Sequence, residues 1–119
     1  MAAPPVYGHR FGGNYGPESS RAALEHSLRG DVEGVEVDVV LSADGDVVCV
    51  HDPLLRIATD LDGWAHRTPT DTILSGRLLD SVGEPSDQHP LSLPQVLDLI
   101  PPELPLQLDV KAYADPQLA

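Results

Sequence analysis

A chain of 119 residues with 41% hydrophobic content can bury one core of ordinary size and is too apolar for a disordered tail. Its 19 acidic against 7 basic residues give a formal charge of −12, which leaves no basic patch for phosphates and argues against nucleic acid as a partner. No run approaches the ~20 apolar residues that a membrane span requires, and the start, Met1-Ala2-Ala3-Pro4-Pro5, has no basic region followed by an apolar stretch. The expectation is therefore a cytoplasmic protein without stable membrane insertion.

After Pro4-Pro5, residues 6–9 read as a short strand, and Gly12, Gly13 and Gly16 make the next loop irregular. A helix is predicted behind a Ser19 or Ser20 cap, with Ala22, Ala23, Leu24 and Leu28 as its apolar stripe and Gly30 as its stop. Residues 35–40 form the second strand. Its period of two sends Val35, Val37 and Val39 to one face and Glu36, Asp38 and Val40 to the other. Asp44-Gly45 signals a hairpin, and residues 47–50 run on until His51-Asp52-Pro53 stops them. The sole cysteine, Cys49, lies in that run and reads as a small buried hydrophobe.

Residues 54–90 lack firm periodicity apart from a helical turn near 70–74, and read as an insertion or long loop. Ser92 caps the next helix, which tolerates Pro94 in its first turn, buries Val96, Leu97 and Ile100, and stops at Pro101-Pro102. The third strand spans residues 104–111, with Leu106, Leu108 and Val110 on one face and Gln107, Asp109 and Lys111 on the other. Asp115-Pro116 would open a further helix. Strands that alternate with helices and carry polar residues at their C-terminal ends describe a parallel α/β fold. A TIM-type barrel accommodates a charged alternate face near its mouth, whereas an open doubly wound sheet would cover that face with helices.

The polar residues at these strand ends form a coherent chemical kit. Glu36 and Asp38 have Cβ atoms about 6.6 Å apart by strand rise, close enough for one hard cation, and Asp109 adds a third carboxylate. His9 and His51 end different strands and form the candidate acid/base pair, imidazole being able to accept or donate a proton near neutral pH. Arg10, by a bidentate fork, and Lys111, as a point charge, would hold a phosphate. His26, His66 and His89 read as structural, and Trp64 and Tyr113 as packing residues. The early glycines lack a following Gly-Lys-Ser/Thr, so no nucleotide P-loop is present, and the Asp-Gly pairs lack the spacing of a calcium loop.

The ordered set His9-Arg10, Pro17-Glu18-Ser19, Glu36-x-Asp38, Asp44-Gly45, His51-Asp52-Pro53 and Asp109-x-Lys111 resembles the glycerophosphodiester phosphodiesterase family. The resemblance implies a TIM-type (β/α)8 barrel, of which residues 1–119 would carry about the first three βα units, with residues 54–90 as a small insertion. It implies hydrolysis of a small-molecule glycerophosphodiester to glycerol 3-phosphate and an alcohol, with Mg²⁺ or Ca²⁺ as cofactor. Carried over by position, His9 and His51 are the acid/base pair, Glu36, Asp38 and Asp109 the metal ligands, Arg10 and Lys111 the phosphate contacts, and Glu18 a supporting residue of the first loop. Three positions depart from the family pattern. Phe11 displaces the glycine expected after His-Arg, Ser19 stands for asparagine, and Asp109 stands for a glutamate one methylene longer.

Alternatives are a related barrel phospholipase cleaving lysophospholipid or sphingomyelin head groups, and a non-catalytic fragment. Such a fragment would pair with a complementary chain, or with itself as a homo-oligomer, through its open strand edges.

Overall fold

The computed structural model describes residues 7–8, 16–30 and 32–111. Five strands form its sheet. The element order is β1 (Tyr7–Gly8), α1 (Arg21–Arg29), β2 (Gly34–Leu41), β3 (Val47–Cys49), α2 (Thr70–Ser75), β4 (Leu91–Ser92), α3 (Leu93–Leu99) and β5 (Leu106–Val110), with single 3-10 turns at Leu55–Ile57 and Ala65–Arg67.

The centre is β2. It pairs in parallel with β1 and β5, and because Val35 is opposite both Gly8 and Leu106, these two neighbours occupy its two edges. Its last residues turn back into β3, antiparallel, with Val40 opposite Val48 and Leu41 opposite Val47. Ser42 N–H donates to Asp46 O and Gly45 N–H to Ser42 O across the turn, and Gly45 takes φ 82°, a conformation open to glycine at little cost. The Asp44-Gly45 hairpin is where the sequence puts it.

Strand alternation builds two cores. Val35, Val37 and Val39 pack with Ala23 and Leu24 of α1, Cys49, and Val96 and Ile100 around α3. Val40 instead joins Val48, Val50, Leu55, Ala65 and Ile73 in a second cluster beneath residues 54–90. α1 starts at Ser20, whose Oγ accepts from Ala23 N–H at 3.1 Å, and ends at Gly30. Ser19, the other candidate cap, is instead held at φ 64° with 2% exposure. α3 starts with a full capping box: Ser92 Oγ accepts from Gln95 N–H, and Gln95 Oε1 accepts from Ser92 N–H.

Residues 54–90, expected as an insertion or long loop, form an ordered, tightly bridged segment: Leu55 N–H donates to Gly63 O, Asp60 N–H to Arg77 O, Leu78 N–H to Gln88 O and Leu79 N–H to Ala58 O. Its apolar anchors, Leu55, Ala65 and Ile73, are single residues set by backbone bridges, so no period connects them. β4 pairs with β3 and was not anticipated, since a two-residue ladder leaves no alternation to read.

Packing in this segment is close around Gly76, where an added Cβ would come within 2.7 Å of Leu61 Cγ. The Gly76→Ala variant is expected to lose about 1–3 kcal/mol of stability through overpacking, read as a lower urea midpoint with an unchanged slope.

β5 covers Leu106–Val110, shorter than the expected 104–111, although Val35 N–H to Pro105 O and Lys111 N–H to Val39 O continue the ladder at both ends. Among the described residues it pairs only with β2, and Leu108 and Val110 are 39% and 69% exposed. An edge strand with little burial opens locally at low cost. Amides of residues 106–110 are expected to exchange with solvent deuterium well before those of residues 35–39; equal protection by NMR would show that the β5 edge is covered.

Candidate active site

The β2–β5 register sets the geometry. Asp38 is directly opposite Asp109, and Glu36 precedes Asp38 by two residues on the same face. Like charges across a ladder repel. Lys111, two residues beyond Asp109, brings Nζ to 3.1 Å from Asp38 Oδ1 and 3.0 Å from Asp109 Oδ2.

The hydrogen bond from Lys111, and then its charge, hold the Asp109 carboxyl below the usual carboxylate range; hydrogen bonds to Asp109 and then Asp38 raise Lys111 above the usual lysine value. What Asp109 contributes to stability is present above the ordinary carboxylate pKa and fades as pH falls through its lowered value. The Lys111 contribution is present below the ordinary lysine pKa and fades as pH rises through its raised value. Asp109 and Lys111 thus both stay charged across neutral pH.

Oxygens of Glu36, Asp38 and Asp109 all lie within 4.8 Å of one another. Glu36 and Asp38 are 8% and 2% exposed, so their carboxylates are buried where a charge needs an opposite one. Within the group of these three and Lys111 the formal balance is two negative charges, which a divalent ion offsets. Three carboxylates suit a hard, oxygen-seeking cation such as Mg²⁺ or Ca²⁺, and no thiolate or imidazole completes a softer site within the trio. The three carboxylates fit such a cation, with Lys111 placed between two of them.

His51 adjoins this cluster. Its Nε2 is 3.8 Å from Asp38 Oδ2, and its Nδ1 is 2.9 Å from Asp52 Oδ2. With Asp52 ionised, Nδ1–H donates to it, which places the proton on Nδ1 and directs Nε2 toward Asp38. Sequence reasoning gave Asp52 no role; the His-Asp-Pro stop at the end of the strand was the available signal.

Beside His51 a cleft of about 760 Å³ opens between Glu18 and Ser19 of the first loop, Val50, His51 and Asp52 after β3, and Ile57, Ala58 and residues 78–81 and 83 of the bridged segment. Of the residues expected in the site, Glu36, Asp38, Asp109, Lys111 and His51 come together, and Glu18 lines the adjoining cleft. His9 and Arg10 lie outside the described residues, as do Tyr113 and residues 115–116. Lys111 contacts carboxylates, where the sequence had suggested a phosphate contact.

The remaining polar candidates have structural surroundings. His89 Nδ1 is 2.7 Å from Gly76 O, and Trp64 and His66 pack ring to ring at 6.0 Å. Cys49 is fully buried, and burial pushes its thiol up to about 12, so it stays protonated and unreactive. Among the described residues, no helix is long and apolar enough to cross a membrane.

Comparison with known proteins gives this geometry a context. A glycerophosphodiester phosphodiesterase of Bacillus altitudinis is 41% identical over 59 residues, which take in 49% of this chain and 24% of that protein. A phosphodiesterase of Oleispira antarctica, solved in complex with the product sn-glycerol-3-phosphate, superposes with a TM-score of 0.79 at 29% identity, covering 91% of this chain and 44% of that one. The glycerophosphodiester phosphodiesterase of Agrobacterium tumefaciens superposes with a TM-score of 0.81 at 21% identity, covering 92% and 48%, a likeness that shows the fold: part of a TIM-type barrel. The chain thus spans less than half the length of these relatives. The model of the glycerophosphoryl diester phosphodiesterase family matches residues 9–115, and the chain belongs to that family.

Proposed function

We propose that this chain carries the catalytic groups of a cation-dependent phosphodiesterase that converts a glycerophosphodiester and water to glycerol 3-phosphate and an alcohol. The observation that carries this reading is the convergence of Glu36, Asp38 and Asp109, across the parallel β2–β5 pair, with His51 beside an open cleft. Membership of the family supports the reaction class.

Glu36, Asp38 and Asp109 would hold Mg²⁺ or Ca²⁺, which when bound supplies positive charge against the phosphate oxygens. His51, oriented by Asp52, and His9 divide the proton work: one takes the proton of the attacking oxygen, the other gives a proton to the departing alcohol as its bond to phosphorus breaks. Arg10 contacts the phosphate, Lys111 does so once released from the carboxylates, and Glu18 supports the first loop. Residues 54–90 act as an insertion in a partial barrel domain spanning residues 1–119. The exposed outer side of β5 supports association with a second copy or a complementary chain.

An enzymatic assay for glycerol 3-phosphate tests the reading. Glycerophosphodiesters incubated with the chain and Mg²⁺ or Ca²⁺ are expected to release it, and chelation is expected to stop the release. Release that continues undiminished after chelation would overturn the cation dependence.

A further inference from the structure

We infer that Gln88 is a positioning residue: its side chain ties the start of α1 to the bridged segment and so fixes how far apart two walls of the cleft beside His51 stand. Its effect on turnover rests on the phosphodiesterase reading; the tie itself does not.

The two walls come from distant parts of the chain. Glu18 and Ser19 belong to one, directly ahead of α1, and Leu78, Leu79 and Asp80 to the other. Gln88 Oε1 accepts from Ala22 N–H at 2.9 Å, a contact across 66 positions of sequence. Ala22 is the second residue of α1, and the next amide, Ala23 N–H, is taken by Ser20 Oγ at 3.1 Å. The first turn of a helix leaves its amides without intrahelical acceptors. Here one is met locally and its neighbour by a residue attached to the other wall.

Gln88 is itself held on both sides of its backbone. Its carbonyl accepts from Leu78 N–H at 2.8 Å, its amide donates to Ser86 Oγ at 3.0 Å, and Ser86 Oγ donates to Leu78 O at 2.7 Å. Leu78 lines the cleft and is 2% exposed. A continuous path therefore runs from Leu78 through the backbone and side chain of Gln88 to Ala22 and the Ser20 cap. The first loop follows the start of α1 closely. Ser20 N–H donates to Pro17 O at 3.1 Å, and a Cβ added at Gly16 would come within 3.1 Å of Ala22 Cβ and 3.2 Å of Ser20 Oγ. Movement of α1 at this end carries Glu18 and Ser19 with it.

The test uses two substitutions. Gln88→Ala removes the acceptor, whereas Gln88→Glu keeps an oxygen there and adds a negative charge that suits a helix start. Amide exchange by NMR is the readout apart from turnover. Measured against amides of residues 35–39, Ala22 N–H is expected to exchange about two- to tenfold faster in Gln88→Ala, the factor that one hydrogen bond supplies, with Ser20 and Leu78 following it. Gln88→Glu is expected to restore all three. With glycerophosphocholine as substrate, Gln88→Ala is expected to raise KM about two- to tenfold and leave kcat within about twofold, because a loosened wall weakens ground state and transition state alike. Gln88→Glu should return KM to near its original value.

Unchanged exchange of Ala22 in Gln88→Ala would overturn the tie. Faster exchange with an unchanged KM would overturn the positioning role, as would a raised KM that Gln88→Glu fails to lower. Turnover by none of the three chains would reject the phosphodiesterase reading, and the exchange of Ser20 and Leu78, one attached to each wall, would then decide whether Gln88 joins them.

Discussion

His51→Ala is expected to lower kcat for a glycerophosphodiester by about 10²–10⁴-fold while leaving KM within a few-fold of its original value. The imidazole adjoins the acidic cluster at 3.8 Å from Asp38 and is oriented by Asp52 at 2.9 Å, a placement that serves proton transfer better than ground-state binding. Asp52→Asn should lower kcat by less, because the amide can still contact Nδ1 while no longer selecting the tautomer. His9→Ala should match His51→Ala if the two share the proton work. A His51 variant that keeps near-original kcat would make that histidine structural.

Calorimetry with Mg²⁺ or Ca²⁺ is expected to show a raised melting temperature, with stabilisation of about 2.7 kcal/mol at a hundred times Kd. Glu36→Gln/Asp38→Asn should abolish the response, since it removes the two buried members of the donor set and leaves only the exposed Asp109. Equal stabilisation of both proteins would place the cation elsewhere. Lys111→Met should respond to cations more strongly than the original chain, because the ammonium no longer occupies the space between Asp38 and Asp109.

Much of the site was legible because its residues break a local rule. Glu36 and Asp38 put charge on alternate positions of a strand whose every residue from Gly34 to Val40 is buried, and a period of two is enough to place them together. The Ser19-Ser20 pair and Ser92 announced α1 and α3 through capping chemistry confined to a few residues, and the structure selects Ser20 of the pair. The cleft was not legible. Ser19 and Asp80 both line it from positions far apart in sequence, and the bridges that carry residues 78–83 there are made by backbone groups, which every residue type possesses. The exposure of Leu108 and Val110 was equally hidden, since alternation identifies which residues share a face but not whether anything covers it.

The pairing of Asp38 with Asp109 has a kinetic consequence. The β2–β3 hairpin closes through a few residues, whereas β5 reaches β2 only after roughly seventy residues of intervening chain have been brought round. Local contacts form early and distant ones late. Glu36 and Asp38 would then be in place before their third partner arrives, and a divalent ion spanning the two strands would act as a clasp on the last element to dock. Cation concentration would set how long the chain stays closed as well as how fast it works.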